Sequence, residues 1–176
     1  MKHRSIALIG FRATGKTTVG KILAQKLYRT FIDMDMCLIS KAGRDIAAWV
    51  GQEGWDSFRR AESALLEVIC LQKRLVVATG GGIILDPQNR EALRKNFFTA
   101  WLKADPHTIH RRLSSDPRSP QMRPALCELP ILEEIEKVLS EREPLYTLVA
   151  DIEIDTEGKE AIRIAEEILG ALSSEP

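Results

Sequence analysis

The sequence has few of the residues that cross-link small extracellular domains or build metal sites. Its 3 cysteines, Cys37, Cys70 and Cys127, are odd in number and widely spaced, which argues against a disulfide framework and favours a reducing compartment. The 3 histidines have no companion set of cysteines or histidines, so no zinc site is predicted. A chain of 176 residues buries enough surface on folding to need no such cross-link.

Net charge and long apolar runs are also lacking. The 25 Lys and Arg residues balance the 25 Asp and Glu residues, so the basic excess typical of nucleic-acid binders is absent. The apolar run over residues 5–11 is too short for a membrane span or a secretory signal, and Gly10 interrupts it. We therefore expect a cytoplasmic chain that forms one domain over residues 1–176 and binds neither nucleic acid nor membrane.

Short apolar runs alternate with segments of helical periodicity. Strands are predicted at about residues 6–9, 30–33, 75–79, 97–102 and 151–155. Helices are predicted at about 19–27, 36–71, 87–95, 106–113, 131–142 and 161–172, the second of them broken near Gly43 and around residues 51–54. Because parallel strands need crossover connections, this alternation predicts an α/β fold with a five-stranded parallel sheet and helices on both faces.

The segment from Gly10 to Thr17 fits the pattern G-x-x-x-x-G-K-[ST] and lies between a predicted strand and a predicted helix. Successive backbone N–H groups and the helix N-terminus can wrap a phosphate there. Lys16 would reach the β- and γ-phosphates, and the Thr17 hydroxyl would bind Mg²⁺. The alternative, a glycine turn that happens to carry a lysine, does not explain the flanking elements. Nucleotide contacts are predicted for Gly10, Ala13, Thr14, Gly15, Lys16, Thr17 and Thr18.

Two carboxylates follow the second predicted strand, in Asp33-Met34-Asp35. Alternate residues of an extended chain point the same way, so both carboxylates would face one cleft beyond the carboxyl ends of the strands. The alternative is a pair of aspartates that caps the next helix. The neighbouring phosphate loop favours a role in binding magnesium and substrate.

Taken together and in order, these and later motifs resemble the shikimate kinase family. The stretches that carry the resemblance are G-F-R-A-T-G-K-T-T from Gly10, F-I-D-M-D from Phe31, F-R-R-A-E from Phe58, T-G-G-G from Thr79, R-P-A-L from Arg123 and R-E-P-L-Y from Arg142. The resemblance implies a P-loop NTPase-type three-layer sandwich and the ATP- and Mg²⁺-dependent phosphorylation of the 3-hydroxyl of shikimate, by a monomer.

The resemblance also implies a role for each matching residue at the substrate end. Arg59 and Arg142 match arginines that bind the shikimate carboxylate, for which the planar guanidinium is well suited. Asp35 matches the acid that holds the ring hydroxyls and orients the attacking one, and Glu62 matches an acid that fixes Arg59. The triple glycine lets the backbone approach the substrate closely, and comprises Gly80, Gly81 and Gly82.

At the nucleotide end, Asp33 matches the acid that helps to hold Mg²⁺, and Arg112 matches an arginine that lies against adenine. Arg123 falls in a proline-rich segment that matches the family's lid, placed here at about residues 114–126. Its arginine would reach the phosphates when the lid excludes water. Catalysis is assigned to Lys16, Asp35 and Arg123, and substrate binding to a segment at about residues 34–62.

The sequence departs from the family pattern in several places. Ala13 stands where many relatives have glycine, and Met34 stands between the aspartates where a small polar residue is common. We expect ATP binding to survive the alanine, and the Met34 side chain to point away from the cleft. Two other functions stay open at this point, a kinase for another hydroxylated acid such as gluconate and a nucleotide-binding module without catalysis.

Overall fold

A central parallel sheet organises the molecule. The structure is a computed structural model that describes residues 4–117 and 124–173. Its strands in this part of the chain are β1 (Ser5–Ile9), β2 (Thr30–Asp33), β3 (Leu75–Ala78), β4 (Phe97–Lys103) and β5 (Ile152–Asp155). They pair in the order β2-β3-β1-β4-β5, and every pair is parallel. The predicted α/β class with five parallel strands is thereby confirmed.

Helices occupy the crossovers between the strands. They are α1 (Lys16–Leu27), α2 (Met34–Ala42), α3 (Ile46–Cys70), α4 (Pro87–Asn96), α5 (Pro106–Ser115), α6 (Ile131–Thr147) and α7 (Ala161–Ser173), with a 3₁₀ turn at Ile83–Leu85. Aspartate side chains cap several N-termini, as when Asp105 accepts a hydrogen bond from the His107 amide at 2.8 Å. None of the helices in residues 4–117 and 124–173 is both long and apolar enough to cross a bilayer.

Alternate side chains of β1 belong to two hydrophobic clusters, one on each side of the sheet. Ala7 and Ile9 face one side of the sheet, where they join a buried cluster contributed by α3, α4 and α6. Ile6 and Leu8 face the other side and join a cluster contributed by α1 and α7. All 5 residues of β1 are buried, as expected for the central strand of a sheet covered on both faces. The result is the predicted three-layer arrangement.

One expectation about the helices is confirmed by the structure and another is wrong. The predicted break in the long second helix is real, since Gly54 has φ 77° and ψ 168° inside α3. The helix predicted to end at Arg142 instead continues to Thr147 and includes Pro144 in its last turns. Proline costs a helix one hydrogen bond, but here the extra turn buries Tyr146, which is fully enclosed in the core, and this burial offsets the loss.

The sheet order brings the functional motifs to one edge. β3 lies between β1 and β2, and the carboxyl ends of β1, β2 and β3 lead into the phosphate loop, the aspartate pair and the triple glycine respectively. In open α/β sheets this edge is where ligands bind. Segments separated by more than 60 residues in the sequence, such as Leu8 and Thr79, are hydrogen-bonded there, with the Thr79 hydroxyl donating to the Leu8 carbonyl oxygen at 3.0 Å.

Candidate active site

The phosphate loop closes on itself between β1 and α1. The Lys16 ammonium donates to the carbonyl oxygens of Gly10 (2.9 Å) and Phe11 (2.7 Å), and the Thr14 hydroxyl donates to Phe11 at 2.8 Å. Helix α1 begins at Lys16, so the N-terminus of the helix lies beside the loop and provides an anion site. Ala13 has φ 62°, a left-handed conformation in which a Cβ is unfavourable.

Thr17 and Asp33 meet at the edge of this loop. The Thr17 hydroxyl donates to Asp33 Oδ2 at 2.7 Å, while Asp33 Oδ1 accepts from the Met36 amide at 3.2 Å. Two hard oxygen donors beside a phosphate site are the ligand type that Mg²⁺ prefers. The residues present therefore fit a magnesium ion, which nucleotide phosphates would also hold.

The expected extended geometry of the aspartate pair is wrong. Strand β2 ends at Asp33 and α2 begins at Met34, so Asp33 caps the helix and Asp35 lies in its first turn. Both interpretations of the pair hold in part, because Asp33 serves as a cap and both carboxylates still line the same cleft. The Met34 side chain points away from the cleft as expected and is fully buried in the core.

Asp35 is a carboxyl group at the cleft whose pKa is strongly raised. Its removal from water, followed by the nearby charges of Glu62 and Asp33, raises its pKa from 3.8 to about 7, although Lys16 and Arg59 act in the opposite direction. A carboxyl group that titrates near neutrality can accept a proton from an alcohol as the reaction needs it. Burial also raises the pKa of Glu62, against the effect of Arg59.

Arg59 and Glu62 form an ion pair one turn apart on α3, with Arg59 Nη1 donating to Glu62 Oε2. The Arg59 guanidinium also lies over two aromatic rings, 4.8 Å from the centroid of Trp55 and 5.6 Å from that of Phe58. Trp55 lines the cleft wall together with the buried Phe58. The guanidinium is therefore fixed by a carboxylate and by cation–π contacts.

The triple glycine gives these groups room. A Cβ on Gly80 would collide with the Glu62 carboxylate, and a Cβ on Gly82 would collide with the Arg59 guanidinium. Between them, the Gly81 carbonyl oxygen accepts hydrogen bonds from Arg142 Nη1 (3.2 Å) and from the Tyr146 hydroxyl (2.6 Å). Arg59 and Arg142 thus reach the same short loop from different helices. Burial lowers the pKa of Arg142, with the Arg59 charge acting in the same direction.

Of three further residues predicted at the nucleotide end, the structure describes Arg112 and Thr18 and does not describe Arg123. Arg112, near the end of α5, donates from Nη1 to the Ala13 carbonyl oxygen at 3.2 Å and to Thr156 Oγ1 at 3.3 Å, so it lies at the phosphate loop and lines the cleft. Thr18 lines the cleft as well. Arg123 lies outside the residues that the structure describes, as does the 118–123 part of the predicted lid.

Sequence reasoning missed two polar contacts at the site. It gave no role to Tyr146, although this residue belongs to the R-E-P-L-Y motif. It also gave no role to Arg12, whose guanidinium donates to the buried carboxylate of Glu134. No motif contains Glu134, and the two residues are 122 positions apart, so only the folded chain reveals the pair.

One cleft of about 680 Å³ joins these parts, from the phosphate loop at one end to Arg59 and Arg142 at the other. The cleft can hold a polyphosphate next to a small anionic molecule. Between the two lies the carboxyl group of Asp35, whose pKa is about 7. The fold and this arrangement define a P-loop kinase of a small molecule.

The chain belongs to the shikimate kinase family, whose model, Shikimate kinase, matches residues 12–173. It is 41% identical to Shikimate kinase 2 of Yersinia enterocolitica over 98% of this chain and 97% of the relative. It is 38% identical to Shikimate kinase of Syntrophus aciditrophicus, over 98% of this chain and 92% of the relative. The solved shikimate kinase of Acinetobacter baumannii in complex with shikimate superposes with a TM-score of 0.90 at 34% identity, covering 97% and 93% of the two chains.

Membership of this family makes the protein a transferase that phosphorylates shikimate from ATP, in the biosynthesis of aromatic amino acids. The predicted family and reaction are thereby confirmed. The same result weighs against the gluconate kinase and the module without catalysis, since neither explains a family match over residues 12–173.

Proposed function

We propose that the chain binds the carboxylate of shikimate between Arg59 and Arg142 and transfers the γ-phosphoryl group of ATP to its 3-hydroxyl. One observation carries this assignment. The two guanidinium groups converge on the loop formed by Gly81 and Gly82, at one end of a cleft whose other end is the phosphate loop. Two planar cations at one place suit a single carboxylate.

Asp35 orients the 3-hydroxyl and receives its proton. In the reaction the hydroxyl oxygen forms a bond to the γ-phosphorus, the bond from that phosphorus to the bridging oxygen breaks, and ADP leaves. The pKa of Asp35, raised to about 7, suits this role, since the group is ionised above neutral pH and becomes a better proton acceptor than an ordinary carboxylate. Gly80 leaves Asp35 and Glu62 the space they occupy.

The nucleotide lies along the phosphate loop. Residues 10–18 supply backbone amides and hydroxyls, Lys16 binds the β- and γ-phosphates, and Arg112 lies on the adenine side. Thr17 and Asp33 would hold Mg²⁺, which supplies positive charge to the transferring phosphoryl group. Arg123 adds further charge as a catalytic residue, within a lid at about residues 114–126.

Residues 1–176 form a single P-loop kinase domain with a substrate-binding segment at about residues 34–62, where α2 and the first part of α3 border the cleft. The balanced charge of the chain supports a protein that binds small molecules rather than nucleic acid. We assign it to the cytoplasm, as a monomer.

Arg59→Ala tests the substrate site in an assay that couples ADP release to shikimate addition. The variant should raise the KM for shikimate by about 100-fold, as for a lost charged contact, and the KM for ATP by less than about twofold. The matched control is Arg60→Ala, since Arg60 is the exposed neighbour outside this cleft. Equal effects on both substrates would refute the site, and turnover of gluconate instead of shikimate would refute the substrate.

A further inference from the structure

Glu134, in the first turn of α6, is a carboxylate buried away from the groups assigned to shikimate. Only 2% of the residue is exposed. Its Oε1 accepts from Arg12 Nη2, and its Oε2 accepts from the backbone amides of Leu126 (2.6 Å) and Cys127 (3.1 Å). A buried carboxylate is costly unless it is paired in this way. Both of its oxygens accept hydrogen bonds from the protein, so the carboxylate connects Arg12 to the backbone of residues 126–127.

The partner, Arg12, belongs to the phosphate loop. While Nη2 binds Glu134, Nη1 donates to the carbonyl oxygen of Pro124 at 2.8 Å. One guanidinium therefore binds both the start of the segment 124–127 and the acid that holds the rest of it. The general phosphate-loop pattern leaves the residue at this position unspecified, so binding a nucleotide does not by itself require an arginine there.

Apolar packing joins the same three parts of the chain. Phe11, next to Arg12, is 1% exposed and belongs to a cluster that contains Ile135 and Leu139 of α6. Leu126, whose amide binds Glu134, packs against this cluster. The phosphate loop, residues 124–127 and the first turns of α6 are thus connected by an ion pair, by backbone hydrogen bonds and by a shared apolar core.

We propose that Glu134 is a positioning residue for the nucleotide: through Arg12 and the amides of Leu126 and Cys127, it holds the phosphate loop in its binding arrangement. This rests on the proposed role of the loop as the ATP site. Arg142 lies on the same helix but 8 residues further along, about 12 Å away along the axis. The loss of Glu134 therefore acts on nucleotide binding first and on shikimate binding little.

The test uses Glu134→Gln, with Glu133→Gln as the matched control because Glu133 is exposed in the same turn. Calorimetry with MgADP gives the nucleotide affinity without any turnover, and steady-state kinetics give both KM values. Glu134→Gln should raise the Kd for ADP and the KM for ATP about tenfold, with less than about twofold change in the KM for shikimate. Unchanged ADP affinity, or equal effects on both substrates, would overturn the proposal.

A double-mutant cycle separates positioning from general loss of structure. If Arg12 and Glu134 act as a unit, Arg12→Gln combined with Glu134→Gln should weaken ADP binding no more than about twofold beyond either single change. Multiplied effects would mean that the residues act independently and would refute the pair. Should Glu134→Gln fail to fold, Glu134→Asp keeps the charge, shortens the side chain by one methylene and carries the same ADP measurement. A wild-type protein that binds ADP without using shikimate would refute the proposed function alone.

Discussion

Arg142 and Tyr146, one turn apart on α6, donate hydrogen bonds to the same carbonyl oxygen, that of Gly81, at 3.2 and 2.6 Å. The Tyr146 ring is fully buried and stacks on Trp101 with 5.4 Å between centroids. Burial raises the pKa of its hydroxyl to about 12, so the hydroxyl keeps its proton at physiological pH and donates it to Gly81. Tyr146 thus fixes the glycine loop from the side of the core, next to Arg142, the arginine assigned to the substrate.

Tyr146→Phe should therefore remove the hydrogen bond to the glycine loop and leave the buried ring in place. We expect a loss of about 1 kcal/mol in the free energy of unfolding, because one buried hydrogen bond is removed. The KM for shikimate should rise several-fold while the KM for ATP stays constant. Urea denaturation and steady-state kinetics measure the two effects. Tyr28→Phe is the control, as Tyr28 is 90% exposed, and a similar loss there would count against the anchoring role.

Gly82→Ala tests the space beside Arg59. Gly82 has φ −103°, which any residue adopts, so only the contact with the guanidinium requires glycine. Since the end of a long side chain can move, we expect the protein to fold but Arg59 to be displaced. The KM for shikimate should rise at least about tenfold, as for a lost charged hydrogen bond.

Gly51→Ala is the matched control for this change, because a Cβ at Gly51 would meet nothing within 4 Å. It should leave both KM values unchanged and stabilise α3 by up to about 1 kcal/mol. Normal shikimate kinetics in Gly82→Ala would show that the position of Arg59 does not matter for substrate binding.

The pH dependence of activity should follow Asp35. With a pKa of about 7 in the folded protein, Asp35 loses below neutrality the carboxylate form that is proposed to accept the proton. We expect kcat/KM for shikimate to fall about tenfold per pH unit well below pH 7. Asp35→Asn should remove this dependence and lower kcat by about 10²–10⁴. A native profile that stays flat from pH 5.5 to about 8 would exclude Asp35 as the base.

Stability should change in the opposite direction. The folded-state pKa of about 7 lies above the ordinary value of 3.8, so the folded protein binds more protons between these pH values. The contribution of Asp35 to stability therefore declines as pH rises from about 4 to 7. Asp35→Asn should unfold at a higher urea concentration than the native protein at pH 8, and the difference should shrink as pH falls towards 4.

Ala13→Gly should stabilise the protein. Ala13 has φ 62°, and an L-residue with a Cβ pays about 1–2 kcal/mol in this conformation, partly offset by the greater freedom of glycine in the unfolded chain. We expect a net gain of about 0.5–1 kcal/mol in the free energy of unfolding and less than about twofold change in the KM for ATP. Ala64→Gly, on an exposed position of α3, should instead destabilise by about 1 kcal/mol.

The order of elements and much of the site could be predicted because their signals are local. Strand β1 is a short apolar run directly before a glycine-rich loop, and both features lie within a few residues of each other. Arg59 and Arg142 were found through short motifs that resemble a known family. Both the local apolar pattern and the motifs can be recognised in the sequence without the folded structure.

What could not be predicted depends on contacts between distant segments or on a choice between two local conformations. Arg12 and Glu134 are 122 positions apart, and no periodicity links them. The sequence Asp33-Met34-Asp35 is compatible with either an extended strand or the start of a helix. In the structure Asp33 caps a helix that begins at Met34. The helix predicted to end at Arg142 continues past Pro144 to Thr147, where Tyr146 is buried in the core.

The continuity of the cleft has a consequence for inhibitors. Because one cavity of about 680 Å³ runs from the phosphate loop to Arg59 and Arg142, a single compound that links a nucleotide mimic to a carboxylate-bearing ring would span both ends. Once its first half is bound, the second half binds at a high effective concentration. Two weak fragments joined by a tether of matching length would then gain about 10²–10⁴ in affinity over either one alone.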